Sequence, residues 1–207
     1  PRLFVSGLSL TQTGGHGDNR SVNEISSGDN QTAFSCLSRI ADGVVECRRA
    51  SRDELRKGAH QIKIMASGGV ASQTDPIDNL QYSDEEIAAI CEEAYSANSY
   101  VMAHAYTPNS IIKAVTNGVR TIEHGNLLDH QSAKLMLEKQ AYLVPTNVTY
   151  QALQRYGERY GLSAVSIGKL AEILDVGLDA MEIAKTTGVK VGHGSDLLGQ
   201  CHEYQSD

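Results

Sequence analysis

Four polar residues stand at or near the ends of short apolar segments, and their side chains are of types that bind metal ions. Lys63 lies in QIKIMASGG, His104 in YVMAHAYT, His124 in RTIEHGN and Asp196 in VGHGSDLLG. Imidazole nitrogens and carboxylate oxygens are common ligands of zinc and related cations. An ammonium inside an apolar segment is costly unless it is paired or neutralised. Reaction of the Lys63 amine with carbon dioxide would give a carbamate that can bridge two cations, so the four residues predict a metal site.

Each of these residues also has a simpler interpretation. A single buried histidine is more often hydrogen-bonded in a core than bound to a metal, and this holds for His104 and His124 taken alone. Asp196 could cap a helix, and Lys63 could extend its charge to solvent. The metal interpretation is favoured because all four polar groups take the same position, at the carboxyl end of a β-like segment.

Side-chain alternation in a β-strand predicts where the two imidazoles point. The period of two places His104 on the same face as Met102, and it places His124 on the same face as Ile122. We therefore expect both imidazoles to end rows of inward-facing side chains.

The segments that position these residues alternate between strand and helix patterns. Capping signals at Ser83 and Thr107 begin two helices, residues 130–139 predict another, and a longer helix is predicted from about Ser163 to Thr187. Six strands are predicted, at 2–7, 61–67, 100–105, 119–124, 141–146 and 189–194. Such alternation is typical of a parallel sheet with its active site at the strand carboxyl ends. The predicted class is α/β, and a closed TIM-type (β/α)8 barrel suits the pattern better than a doubly wound sheet.

The predicted barrel is incomplete. A (β/α)8 barrel has eight strands in about 250 residues, whereas six strands are predicted in these 207 residues. The polar segment 11–31 is either a loop that folds over the site and brings His16 to it, or a mobile surface loop. Tyr150, Tyr156 and Tyr160 are interpreted as packing within a loop.

Composition and charge restrict the class of protein. With 41% hydrophobic and 21% charged residues, the chain has the composition of one globular domain. Its net charge of −7 argues against nucleic acid or an anionic membrane surface as a partner. No apolar segment reaches the ~20 residues of a membrane span. The four cysteines form no CxxC pair, which predicts reduced thiols and a cytoplasmic location.

Several motifs follow one another in a recognisable order along nearly the whole chain. They are TGGHGD at 13–18, IKIMASGGVAS at 62–72, DNLQYS at 78–83, VMAHAYT at 101–107, GVRTIEHG at 118–125 and GSDLLG at 194–199. In order and spacing they resemble the metal-dependent amidohydrolase superfamily, in its branch of imidazolonepropionase-like proteins and Xaa-Pro, Xaa-Arg or Xaa-Lys dipeptidases. The resemblance implies that residues 1–207 are a partial barrel domain with strands three to eight. The first barrel strand and the flanking β-sandwich of the family would be absent, and no HxH pair occurs in the sequence.

The resemblance further implies a binuclear metal centre, usually of zinc. Lys63 would be the carbamylated bridging ligand, and His104 and His124 would bind the second metal. Asp196 would bind the first metal, take a proton from the attacking water and pass it to the departing nitrogen.

The implied reaction is hydrolysis of a C–N bond in a small amide, most simply a dipeptide, by a metal-activated water. Tyr106 is similar to a family residue that meets the substrate carboxylate, and His16 lies in the loop that covers the pocket. For Tyr106 the alternative is an ordinary half-buried aromatic residue. Two other interpretations stay open: a catalytically incomplete fragment or non-catalytic metal-binding module, and an imidazolonepropionase-like hydrolase of cyclic amides. The open sheet edges of a partial barrel would favour a homo-oligomer.

Overall fold

Seven parallel strands in one sheet form the centre of the molecule, in a computed structural model that describes residues 2–20, 37–72, 75–197 and 199–205. The strands are β1 (Ser9–Thr11), β2 (Ser38–Ile40), β3 (Ile62–Met65), β4 (Val101–Ala105), β5 (Thr121–His124), β6 (Tyr142–Val144) and β7 (Lys190–Val191). Their order across the sheet is β2-β1-β3-β4-β5-β6-β7, and every pair is parallel. The predicted α/β class is confirmed, and the described part of the sheet does not close into a barrel.

Seven α-helices accompany the strands in the described ranges. They are α1 (Gly43–Arg56), α2 (Asp84–Ser96), α3 (Pro108–Thr116), α4 (His130–Glu138), α5 (Asn147–Tyr156), α6 (Ala164–Ile173) and α7 (Val176–Thr187). Ser83 and Thr107 cap α2 and α3, as the sequence predicts, and in the structure both form complete capping boxes. In the part of the chain that the structure describes, no helix is long and apolar enough to cross a membrane.

The two faces of the sheet have different surroundings. On one face, strand residues such as Ile62, Ile64 and Ile122 are fully buried in the main core, which also contains apolar side chains of α1, α2, α3, α4 and α7. The opposite face carries Lys63, which lies level with Met102 on the neighbouring strand. A second apolar cluster brings residues of α5 and α6 together with loop residues near the carboxyl ends of the strands. Lys63, His104 and His124 are positioned between the main core and this second cluster.

The first predicted strand, at 2–7, is wrong. Leu3 and Phe4 are 78% and 58% exposed, and Gly7 turns the chain at a φ of +67° before β1 begins at Ser9. β1 and β2 both lie outside the predicted strands, whereas β3 to β7 each fall within one, so five of the seven strands in the described residues are predicted. β2 has three residues and pairs with β1 alone, so it has too few residues to show a hydrophobic period.

The single helix predicted from about Ser163 to Thr187 is also wrong, because the structure has two helices there, α6 and α7. Side chains from elsewhere in the fold bind the backbone carbonyls on either side of the break: the Asn126 amide donates to the carbonyl of Ile173, and the Asn147 amide donates to that of Gly177. A Cβ at Gly177 would lie 2.4 Å from the Asn147 side chain. These tertiary contacts are made at the break, and helix periodicity along the sequence does not reveal them.

Candidate active site

Three imidazoles and a phenol ring meet near the carboxyl ends of β4 and β5. His16 stacks on His104 with ring centroids 4.2 Å apart, and His104 meets His124 edge to face at 4.6 Å. Tyr106 lies against two of the imidazoles, with its ring centroid 4.9 Å from that of His104 and 5.2 Å from that of His124. His104, His124 and Tyr106 are all buried. Residues more than 100 positions apart in the sequence therefore form one cluster, which we take as the candidate site.

His124 reaches this cluster through a backbone conformation that strand alternation does not predict. The strand register places Glu123, not His124, level with His104, and Ile122 belongs to the main core on the other face. His124 ends its strand with a φ of +76°, in the left-handed region, and its ring contacts His104. The prediction that His124 shares a face with Ile122 is therefore wrong, although the two imidazoles do lie together.

One nitrogen of each buried imidazole is held by a protein oxygen. Nε2 of His104 lies 3.0 Å from the carbonyl oxygen of Gly68, and Nδ1 of His124 lies 2.7 Å from the hydroxyl oxygen of Thr146. Burial, aided by nearby positive charge, holds the pKa of both histidines well below its ordinary value. Both rings are therefore neutral near pH 7, which is the protonation state of a metal ligand.

Lys63 and Asp196 lie within electrostatic range of each other beside these rings. Lys63 is half-buried, and burial lowers its pKa, while the carboxylates of Glu123 and Asp196 oppose that shift. Asp196 follows β7 in the left-handed conformation, with a φ of +50°. Burial of its carboxyl group raises its pKa, and the charges of Lys63 and His16 oppose that shift. The residue as a whole is nevertheless exposed. Lys63 forms no salt bridge with a carboxylate of the described residues.

His16 is fixed by a hydrogen-bonded group in the loop after β3. Its Nδ1 lies 2.8 Å from Oγ of Ser72 and 3.6 Å from a carboxylate oxygen of Asp75, and its backbone N–H donates to the Gln81 side chain. Burial alone would raise the pKa of Asp75, but hydrogen bonds from His16 and Ser72 hold it below its ordinary value. The described part of the polar loop thus brings His16 into the site, while residues 21–31 lie outside the described residues.

Tyr150 also contacts the candidate site, although the sequence alone does not indicate it. It lies on α5, not in a loop, and its hydroxyl is 2.8 Å from that of Tyr106 and 3.4 Å from that of Thr146. The interpretation of this tyrosine as loop packing is therefore wrong. The buried positions of α5 are Thr149, Tyr150 and Ala152, which form no apolar stripe that would mark the helix in the sequence.

The donor groups fit one cation more fully than two. A metal-binding histidine usually has its second ring nitrogen fixed by a protein oxygen. His104 and His124 both have this arrangement, and in the described part of the chain their other nitrogens make no hydrogen bond. Lys63 is the third candidate ligand beside them. The described residues contain no group of three His, Cys, Asp or Glu side chains placed to hold a metal, so Asp196 has no partner set for a second ion.

Comparisons with known proteins give the evolutionary context of this site. The profile of the amidohydrolase family matches residues 1–204. Ochratoxinase from Aspergillus niger is 36% identical over 208 residues, which cover 95% of this chain and 42% of that protein. A prolidase crystallised with N-methylphosphonate-L-proline has 53% identity and a TM-score of 0.95, over 100% of this chain and 51% of the prolidase chain.

A more distant solved structure has a similar fold. A Xaa-Pro dipeptidase with methionine bound in its active site has 28% identity and a TM-score of 0.83, over 95% of this chain and 48% of the dipeptidase chain. The chain thus spans about half the length of the relatives it matches. Together with a sheet that stays open in the described residues, this confirms the prediction of an incomplete barrel. The fold and the family profile lead to one conclusion: this chain belongs to the amidohydrolase family.

Proposed function

We propose that this chain carries much of the active site of a metal-dependent hydrolase that cleaves the C–N bond of a dipeptide or related small amide. The observation that carries the proposal is the convergence of three imidazoles and Tyr106 at the carboxyl ends of parallel strands. Relatives named as a prolidase, a Xaa-Pro dipeptidase and an ochratoxinase support a small substrate with an amide bond.

Lys63, His104 and His124 would hold one cation, with zinc as the usual ion for such ligands. Asp196 would contribute to a second cation, whose other ligands would have to come from outside the described residues. When bound, the cations would polarise the amide carbonyl and lower the pKa of water. A carbamate on Lys63 requires a neutral amine, which burial of this side chain favours.

The remaining steps belong to side chains of this chain. Asp196 would accept the proton of the attacking water and pass it to the leaving nitrogen, and its raised pKa suits a group that must both take and release a proton. Tyr106 would donate a hydrogen bond from its hydroxyl to the substrate carboxylate, with Tyr150 fixing the position of that hydroxyl. His16, held by Ser72 and Asp75, would contact the substrate from the covering loop.

The test is the metal content and dipeptide hydrolysis of the full-length protein, purified without a histidine tag. We expect about two metals per chain, a fall in metal content in Lys63→Ala, and hydrolysis of a panel of Xaa-Pro, Xaa-Arg and Xaa-Lys dipeptides. The matched control is Lys190→Ala, because Lys190 occupies the same cross-strand row on β7 and contacts the ring of Tyr142. Asp196→Asn should lower kcat by about 10²–10⁴-fold.

Two results would contradict the proposal. Unchanged metal content in Lys63→Ala would remove Lys63 from the ligand set. A metal-loaded protein that hydrolyses none of the dipeptides would favour a non-catalytic metal-binding module or a hydrolase of cyclic amides, and dihydrouracil and imidazolone substrates would separate these two.

A further inference from the structure

We infer that Lys169 is a positioning residue for the candidate site, acting as a built-in cation that fixes the loop after β3 through three backbone carbonyls. The catalytic part of this inference rests on the proposed function, because the loop touches the imidazoles assigned to metal and substrate. The structural part concerns the loop alone and is tested separately.

The Lys169 ammonium bonds to the backbone of the loop after β3. Its Nζ donates to the carbonyl oxygens of Gly69 at 3.0 Å, Ser72 at 2.8 Å and Asp75 at 2.5 Å. An ammonium has three N–H donors, so one stretch of backbone accounts for all of them. In the described part of the chain Lys169 forms no salt bridge with a carboxylate. Among the described residues its hydrogen-bond partners are thus backbone carbonyls, the kind of oxygen that also binds a monovalent cation.

The loop after β3 also contacts His104. The carbonyl of Gly68 holds Nε2 of His104, and Lys169 binds the carbonyl of the next residue, Gly69. Two successive carbonyls of a glycine-rich segment thus bond to different groups. Since glycine backbone is otherwise free to rotate, the bond from Lys169 restrains the orientation of the peptide unit that follows the His104 contact.

The same loop also contacts His16. Ser72 and Asp75 hold the His16 ring with their side chains and bind Lys169 with their backbone carbonyls. The ring also lies directly against Gly69, where an added Cβ would be 2.2 Å from it. Among the described residues Lys169 makes no hydrogen bond to either imidazole, so we expect its effect on them to pass through the loop.

Helix α6 packs against the loop through apolar side chains, and this packing does not involve the Lys169 ammonium. Leu170 and Ile173 of α6 form a buried cluster with Val70 and Ile77 of the loop and with Tyr106. Removing the ammonium would therefore leave the helix docked while it releases the carbonyls of Ser72 and Asp75, which then need other partners. The carbonyl of Gly69 would keep one long bond, from Oγ of Ser72 at 3.3 Å. This separation makes the role of Lys169 testable without unfolding the protein.

The experiment uses full-length Lys169→Ala and Lys169→Met, with Lys185→Ala as the matched control. Lys185 is an exposed lysine on α7 that forms a salt bridge with Glu182, at 3.5 Å. We expect both Lys169 variants to melt near the wild-type temperature but to exchange the backbone amides of residues 67–72 faster. With a dipeptide that the wild type hydrolyses, kcat should fall by up to about 10²-fold, the cost of a 1 Å misplacement, while Lys185→Ala stays at wild-type values.

Chemical rescue distinguishes positioning from a general structural role. Ethylammonium supplies the missing charge and N–H donors, so it should restore kcat and slow amide exchange in Lys169→Ala. Tetramethylammonium has the same charge without an N–H group and should restore neither. Wild-type exchange and kcat in both Lys169 variants, or equal rescue by tetramethylammonium, would overturn the inference. If the wild type hydrolyses no dipeptide, the proposed function fails, and amide exchange still decides whether Lys169 positions the loop.

Discussion

The hydrogen bonds of the two buried histidines determine which ring nitrogens could bind a metal. A backbone carbonyl only accepts, so the Gly68 contact requires a proton on Nε2 of neutral His104 and leaves the lone pair on Nδ1. The Thr146 hydroxyl donates a hydrogen bond to that of Tyr150 and so accepts one from Nδ1 of His124, which leaves the lone pair on Nε2. The two rings thus use opposite nitrogens.

Thr146→Val tests this assignment, because it removes the hydroxyl oxygen that fixes His124 and keeps the side-chain volume. We expect the metal affinity of the full-length protein to fall by about 10–100-fold, as for other residues that orient a histidine ligand. Competition with a chelator measures the affinity. Thr146→Ser should keep most of it, and Thr186→Val is the control, because the Thr186 hydroxyl bonds to carbonyls of its own helix. Equal affinity in Thr146→Val and wild type would refute the assignment.

At the scale of elements, α6 combines a contact surface for the site with a position that does not favour a helix. Gly168 lies within α6, and a Cβ added there would meet nothing within 4 Å. Gly69, on the loop that α6 covers, has the opposite environment, because a Cβ there would lie 2.2 Å from the His16 ring. An alanine at Gly168 should therefore change only the conformational entropy of the backbone, whereas an alanine at Gly69 should clash with the His16 ring.

Gly168→Ala should stabilise the protein by about 0.5–1 kcal/mol, because alanine loses less backbone freedom in a helix than glycine does. The shift of the urea denaturation midpoint measures this change, and dipeptide hydrolysis should stay at the wild-type rate. Gly69→Ala should instead lower the hydrolysis rate, since either the loop or His16 must move. A Gly168→Ala protein with a lower midpoint would show that this glycine has a structural purpose that its open surroundings do not reveal.

Helices α1 and α2 are joined by charges that make their stability depend on pH. Arg52 and Arg48 both donate to Glu93 at 2.7–2.8 Å, and the bonds from Arg52 are the main cause of the lowered pKa of Glu93. A carboxylate with a depressed folded-state pKa stabilises the fold above its unfolded pKa, which is about 4.3 for glutamate. That stabilisation is lost as the pH falls through the folded-state value.

Glu93→Gln should therefore lower the free energy of unfolding at pH 7 by no more than about 1 kcal/mol, as for pairs near the surface. The difference from wild type should shrink as the pH falls below about 4.3. Denaturant titrations at several pH values measure it. Glu182→Gln is the control, because Glu182 and its partner Lys185 are both exposed. A difference that stays constant down to pH 3 would argue against the ion pairs.

Local signals in the sequence predict some elements well, and long-range contacts decide the others. The capping box at Ser83 and the Thr107-Pro108 pair are signals within four residues of sequence, so α2 and α3 are predicted to within one or two positions. The break between α6 and α7 depends on Asn126 and Asn147, which are distant in sequence. The site shows the same division: residue types and strand ends indicate the histidines, whereas the face of His124 follows from one backbone angle.

At the scale of the whole molecule, the sheet ends in two strands that have a partner on one side. β2 pairs with β1 and β7 with β6, and within the described residues neither strand has a second neighbour. Val191 on β7 is 45% exposed. Unpaired backbone groups beside an exposed apolar residue favour association through the sheet edge.

The 207-residue chain by itself should therefore associate. Sedimentation velocity at micromolar concentrations should show species larger than a monomer, and Val191→Lys should reduce their share, because a charge at a sheet edge opposes pairing. Val165→Lys is the control, since Val165 is a comparably exposed valine on α6. A single monomeric species for the unmodified chain would contradict this prediction.

The contact between Lys169 and its loop has a consequence for protein synthesis. Strands β3 to β7 pair in the order in which the ribosome makes them, so the sheet can grow as the chain emerges. Lys169, in contrast, meets its three carbonyls across 94 to 100 positions. A nascent chain that has not yet released α6 can already hold its two buried imidazoles on paired strands, but the loop beside them has no ammonium to bind. Assembly of the site is thus delayed until the last fifth of this segment is translated.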